Sequence, residues 1–130
     1  MSAPFTILLV EDDSVVRDVV VQILLAKDFH VLAASDGYEA IRLLVAQHVD
    51  VMLADIMMPG LDGIETCRRM RGHAPTADIP IVMFSALSSD DDIERARVAG
   101  ANHLITKPFN LVGLGSVVKT FFPADVSSAR

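Results

Sequence analysis

The chain of 130 residues contains one cysteine, Cys67, so no internal disulfide can staple it, and a reducing compartment suits it. Long hydrophobic runs are missing as well. Crossing a bilayer takes roughly 18 uninterrupted apolar residues, whereas the longest run here, Val19 to Ala26, is broken by Gln22. The opening Met1-Ser2-Ala3-Pro4 shows no basic segment leading into an apolar stretch, so no secretory signal is visible. A cytoplasmic protein without membrane association is the expectation. Basic residues are few, 11 against 17 acidic, for a formal net charge of -6, which argues against direct binding of nucleic acid. The only basic knot, Arg68, Arg69 and Arg71, reads as a solvated helix face rather than a reader of phosphate backbone. The histidines, His30, His48, His73 and His103, lack the spacing a zinc site needs and read as surface or strand-end residues.

What is present is a regular alternation. At 14.0 kDa and 52% hydrophobic residues, the chain has the size of one domain with one core, able to bury roughly 65–70% of its unfolded surface. Phe5 to Val10 is a continuous apolar run, as in a strand buried on both faces, and it stops at Glu11-Asp12-Asp13. Ser14 is placed to cap a helix whose Val15, Val16, Val19, Val20, Ile23 and Leu24 recur at the spacing of one buried face. His30 to Ala34 predicts a second strand, and Ser35-Asp36-Gly37 opens a helix with Ala40, Ile41, Leu44 and Val45 inward. A third strand over Val49 to Ala54 runs into Asp55. The segment Ile56 to Gly63 is a loop, because Pro59-Gly60 and Asp62-Gly63 are turn pairs. A helix over Ile64 to Arg71 and a polar connection over Gly72 to Asp78 lead to a fourth strand, Ile79 to Phe84, which ends at Ser85. Ser88 or Ser89 then caps a helix starting with Asp90 to Asp92, acidic where the helix dipole is positive, and Gly100 ends it. His103 to Thr106 is the fifth strand; Lys107-Pro108 and a glycine-weakened helix, Leu111 to Phe122, follow, and 123–130 reads as a frayed tail.

Strands alternating with helices through five rounds predict an α/β sandwich around an open parallel sheet with right-handed crossovers. In such sheets ligands bind beyond the carboxyl ends of the strands. Glu11, Asp12, Asp55, Ser85 and Lys107 all fall there. Each has a bland reading alone: acidic residues after strands often form turns or caps, Ser85 could start a turn, and Lys107 could be solvated. Together at successive strand ends they favour one shared site. Carboxylates gathered in a cleft repel one another and need neutralising. Magnesium suits them, since it takes carboxylate and carbonyl oxygens and keeps several waters, and no soft ligand is offered.

The stretches Val10-Glu11-Asp12-Asp13, Ala54-Asp55-Ile56-Met57-Met58-Pro59-Gly60-Leu61-Asp62-Gly63, Ser85-Ala86, Gly100-Ala101 and Thr106-Lys107-Pro108-Phe109, in this order and spacing, resemble the response-regulator receiver domain of two-component signalling over residues 5 to 122. The resemblance implies a flavodoxin-like three-layer sandwich with five parallel strands in the order 2-1-3-4-5 and five helices, 1–130 forming a single receiver domain. It implies that Asp55 takes a phosphoryl group from a phosphohistidine on a sensor histidine kinase or phosphotransfer protein. Asp12 would bind Mg2+ directly, Glu11 mostly through water, and the Met57 main-chain carbonyl would add a ligand beside Asp55. Ser85 would donate its hydroxyl to a phosphoryl oxygen. Lys107, aimed by a cis bond before Pro108, would pair first with Asp55 and then with the phosphoryl group. The chain would thus act on itself rather than as an enzyme on other substrates. It would control a downstream effector domain or protein, a phosphorylation-dependent homodimer being one route, either alone or within a longer protein.

One position departs from the family pattern. Receivers commonly carry an aromatic residue three before the lysine, and here that residue is Leu104. Either a smaller leucine shift does the aromatic's work or the signal leaves by another face; Gly113 and Gly115 in the last helix bear on the same surface. Met57 and Leu87 flank the route of water to an aspartyl phosphate, and being apolar they predict slow self-dephosphorylation. The alternative from a different class is a pseudo-receiver, an interaction module working without phosphate. A magnesium-dependent phosphatase would want its nucleophile after the first strand with a second aspartate two positions on, and Asp55 is followed by Ile56-Met57. A flavin protein would want a phosphate loop where Glu11-Asp12-Asp13 stands.

Overall fold

The computed structural model describes residues 5–85 and 90–106. In chain order these form β1 (Thr6–Val10), α1 (Ser14–Ala26), β2 (His30–Ala34), α2 (Gly37–Ala46), β3 (Val51–Asp55), α3 (Gly63–Arg71), a 3-10 turn (Ala74–Thr76), β4 (Ile81–Ser85), α4 (Asp90–Ala99) and β5 (His103–Thr106). The strands form one parallel sheet in the order β2-β1-β3-β4-β5, as the resemblance implied. Four α-helices lie among the described residues. The expected last helix, the cap at Ser88 or Ser89, Leu87, Lys107 and Pro108 lie outside them.

Alternation along the strands divides the core in two. Leu8, Val10, Met52, Ala54, Ile81 and Met83 point to one face, under α2, α3 and α4; Ile7, Leu9, Val51, Leu53, Val82 and Phe84 point to the other, with Val20 and Leu24 of α1 and the Phe5–Phe29 pair. Every residue of β1, β3 and β4 is buried, which is why these runs read as continuously apolar rather than alternating.

Local chemistry moved several predicted boundaries. β3 begins at Val51 because Asp50 is used in closing the start of β1: its carboxylate accepts the Thr6 N–H at 2.7 Å and is paired with His48 at 2.7 Å. β4 begins at Ile81 because Pro80 has no N–H to give to a ladder. Asp13, not Ser14, caps α1, the Val15 and Val16 N–H groups donating to its Oδ1 at 2.9 and 3.2 Å. The predicted inward face of α1 is also too wide. Val15 and Val19 are 70% and 51% exposed, since they sit about 100° around the helix from Val16 and Val20, which face the sheet.

The arginine knot divides. Arg68 and Arg69 are solvated and share Glu65. Arg71 instead turns inward and donates to the carbonyls of Ala77, Ile79 and Gly100 and to Asn102 Oδ1, at 2.6 to 3.1 Å. It clasps the end of α3 to the entries of β4 and β5. Gly100 makes this approach feasible: its φ of +110° stops α4, and a Cβ there would strike the Arg71 side chain. Cys67 is fully buried, with its thiol directed at the Ala99 carbonyl; burial pushes its pKa up despite the opposing charges of Arg71 and Arg68. No helix among the described residues is long and apolar enough to cross a membrane.

Candidate functional site

The chain leaves β1 for its neighbour β2 on one side and leaves β3 for β4 on the other, so the two connections diverge and open a crevice at the carboxyl ends of β1 and β3. Register sets which residues line it. Val10 pairs with Ala54 and Asp55 with Phe84, so Glu11 lies level with Asp55, and Ser85 is the next residue at the end of the adjoining strand. Glu11, Asp12 and Asp55 each present a carboxylate oxygen within 4.8 Å of the other two. Glu11 and Asp55 are 1% and 6% exposed, Ser85 is buried at 2%, and Asp12 stands at the open lip. Lys107, the last residue expected at the site, follows β5 directly and lies outside the described residues.

The backbone around these groups is closely held. The Glu11 N–H donates to the Ala34 carbonyl at 3.0 Å, which carries the β1–β2 ladder one residue past the strand. The Asp13 N–H donates to Glu11 Oε2 at 3.1 Å, while Arg17, one turn into α1, donates to the Glu11 carbonyl at 2.7 Å. The Met57 N–H donates to Asp55 Oδ1 at 3.1 Å and fixes that carboxylate's rotamer. The loop after β3 is closed by the Gly63 N–H donating to the Ile56 carbonyl at 3.0 Å, and it buries Ile56, Met58 and Leu61 while Met57 stays 72% exposed. Asp62 caps α3 by accepting the Glu65 N–H at 2.8 Å. Gly63 is required by close approach: a Cβ there would collide with the Asp55 carbonyl oxygen, so a larger residue would push the loop away from the site.

Arg17 is not marked by the sequence motifs, and Asp13 and Gly63 stand there only as members of the acidic run and of a turn pair. A cation in the first turn of a helix that follows an acidic run was a usable signal for Arg17. Leu104 is half-buried on β5 opposite Met83 and packs against the core under α4.

An open α/β sheet with three carboxylates at its topological switch defines an acidic cleft of the kind that can hold a cation. The profile described as "Response regulator receiver domain" matches residues 7–119, and the chain belongs to that family. It is a response-regulator receiver domain. Among curated proteins it is 39% identical over 129 residues to the transcriptional regulatory protein CseB of Streptomyces avermitilis, covering 95% of this chain and 53% of that protein. The chain spans about half the length of the curated relatives it matches. Among solved structures, the Vibrio cholerae chemotaxis protein CheY4 superposes with a TM-score of 0.88 at 27% identity, covering 92% of this chain and 100% of that one. The receiver domain of the sensor histidine kinase PA1611 from Pseudomonas aeruginosa, solved with magnesium coordinated in its active-site cleft, gives a TM-score of 0.85 at 31% identity, with 92% and 98% covered.

Proposed function

We propose that Asp55 takes a phosphoryl group from a phosphohistidine on a sensor histidine kinase or phosphotransfer protein, in the cytoplasm, and that the modified domain then controls an effector domain or partner protein. The whole of 1–130 is read as one receiver unit with its core at 5–122. The observation that carries the reading is the set of three carboxylate oxygens within 4.8 Å at the switch point of the sheet. Such an assembly of like charges is unfavourable unless a cation completes it.

The donors fit magnesium: all are hard oxygens, with no sulfur or imidazole among them. Asp12, Asp55 and the Met57 main-chain carbonyl would hold it directly, and Glu11 mostly through water. When bound, it would supply the positive charge that offsets the carboxylates and the incoming phosphoryl oxygens. In the transfer, an Asp55 oxygen bonds to phosphorus as the nitrogen–phosphorus bond of the donor breaks, and the electron pair of that bond returns to the imidazole. The Met57 N–H holds Asp55 Oδ1 in place during the approach. By the family resemblance, the Ser85 hydroxyl donates to a phosphoryl oxygen, and the Lys107 ammonium passes from Asp55 to the phosphoryl group. The chemistry is positioning and charge neutralisation.

Acetyl phosphate with MgCl2 tests this. Intact mass should rise by one phosphoryl group in the wild type and not in Asp55→Asn. A wild type that gains no mass would replace the reading with that of a pseudo-receiver.

A further inference from the structure

Glu11 has its main chain secured on both sides. Its N–H is fixed to β2 through Ala34, and its carbonyl accepts a short, charge-assisted bond from Arg17 Nη1 at 2.7 Å. Its side chain turns back onto the Asp13 N–H, and Asp13 in turn caps the helix that carries Arg17. The result is a closed circuit, Glu11 carbonyl to Arg17, along the first turn of α1 to Asp13, and back to the Glu11 carboxylate. Asp12 is the one residue in the middle of it. Its exposed side chain makes none of these contacts, so the placement of its carboxylate depends on the backbone that the circuit holds.

We propose that Arg17 is a positioning residue for the cation cleft, acting through the Glu11 carbonyl to hold the Glu11–Asp13 turn at the spacing that lets three carboxylates share one ion. This rests on the phosphoryl-acceptor reading and adds to it a residue outside the ligand set. Charge and geometry make opposite demands here, which is what makes the idea decidable. As a cation near a site for another cation, Arg17 weakens magnesium binding by direct repulsion, and its removal on that ground alone should tighten binding. As a brace it strengthens binding. Loss of a partner that orients metal ligands typically weakens affinity about tenfold or more.

Magnesium titrations of the 130-residue chain, followed by calorimetry and by amide chemical shifts, decide the matter for wild type, Arg17→Met, Arg17→Lys and Asp12→Asn. Binding about tenfold weaker in Arg17→Met, with an intermediate value in Arg17→Lys and unfolding midpoints well above the titration temperature, is the expected result. Equal or tighter binding in Arg17→Met overturns the assignment. Should Arg17→Met not fold, Arg17→Lys decides: weaker binding than wild type supports the brace, and unchanged binding removes it. A wild type that binds no magnesium sinks the phosphoryl-acceptor reading together with this one. A wild type whose binding is abolished by Asp12→Asn but untouched by either Arg17 variant sinks this one alone.

Discussion

Replacing Asp12 with asparagine should make the metal-free domain more stable, although it damages the site. Asp12 is the exposed member of the acidic set and caps no helix, that task falling to Asp13, so the substitution removes a charge and little else. In water, two unit charges 4.8 Å apart repel by about 0.9 kcal/mol, and Asp12 has two acidic neighbours within that distance, Glu11 and Asp55. Relief of both pairs amounts to about 1.7 kcal/mol, and since each charge is spread over two oxygens and screened by salt, a gain of about 1 kcal/mol is expected at moderate ionic strength. Magnesium should reverse the ranking. A ligand at ten times its dissociation constant stabilises the state that binds it by about 1.4 kcal/mol, a gain open to the wild type and closed to the variant. Urea unfolding followed by far-ultraviolet circular dichroism, in EDTA and then in magnesium, gives the four midpoints needed. A variant less stable than wild type in EDTA, or magnesium raising both midpoints equally, would refute the account of Asp12 as a charge repelled by its acidic neighbours.

Arg71→Met should cost about 3 kcal/mol in urea unfolding, because it leaves the Ala77, Ile79 and Gly100 carbonyls without their charged donor. Arg71→Lys should recover only part, since one ammonium cannot span acceptors that a guanidinium fork reaches together; a loss below about 1 kcal/mol for Arg71→Met would show that water replaces the clasp. The phosphorylated wild type should lose its phosphoryl group more slowly than Met57→Asn/Leu87→Glu in magnesium buffer, because the exposed apolar Met57 offers nothing to hold a water in line for attack. Faster decay of the wild type would contradict this.

The physical origin of the legible part of the molecule is local. β1, β3 and β4 are buried on both faces and therefore leave unbroken apolar runs, and the acidic residues that interrupt those runs mark the strand ends, so Glu11, Asp12 and Asp55 could be found one strand at a time. Helix periodicity was a weaker guide. It marked six inward positions on α1, yet a helix lying on a sheet buries a narrow stripe, and Val20 and Leu24 alone are fully covered.

By itself, then, the order of residues determined the alternating architecture, the sheet that follows from it and the carboxylates of the cleft, because each of these is written in neighbours along the chain. The tertiary structure alone decided that Arg17 reaches back to the Glu11 carbonyl, that Arg71 leaves its solvated companions to clasp Gly100, and that Gly63 must stay bare against Asp55. Those contacts depend on the angle and depth at which each helix docks on the sheet. Their acceptors are main-chain oxygens, which every residue carries alike, so the side-chain pattern could at most mark Arg17 as a cation beside an acidic run and could not name the atom it reaches.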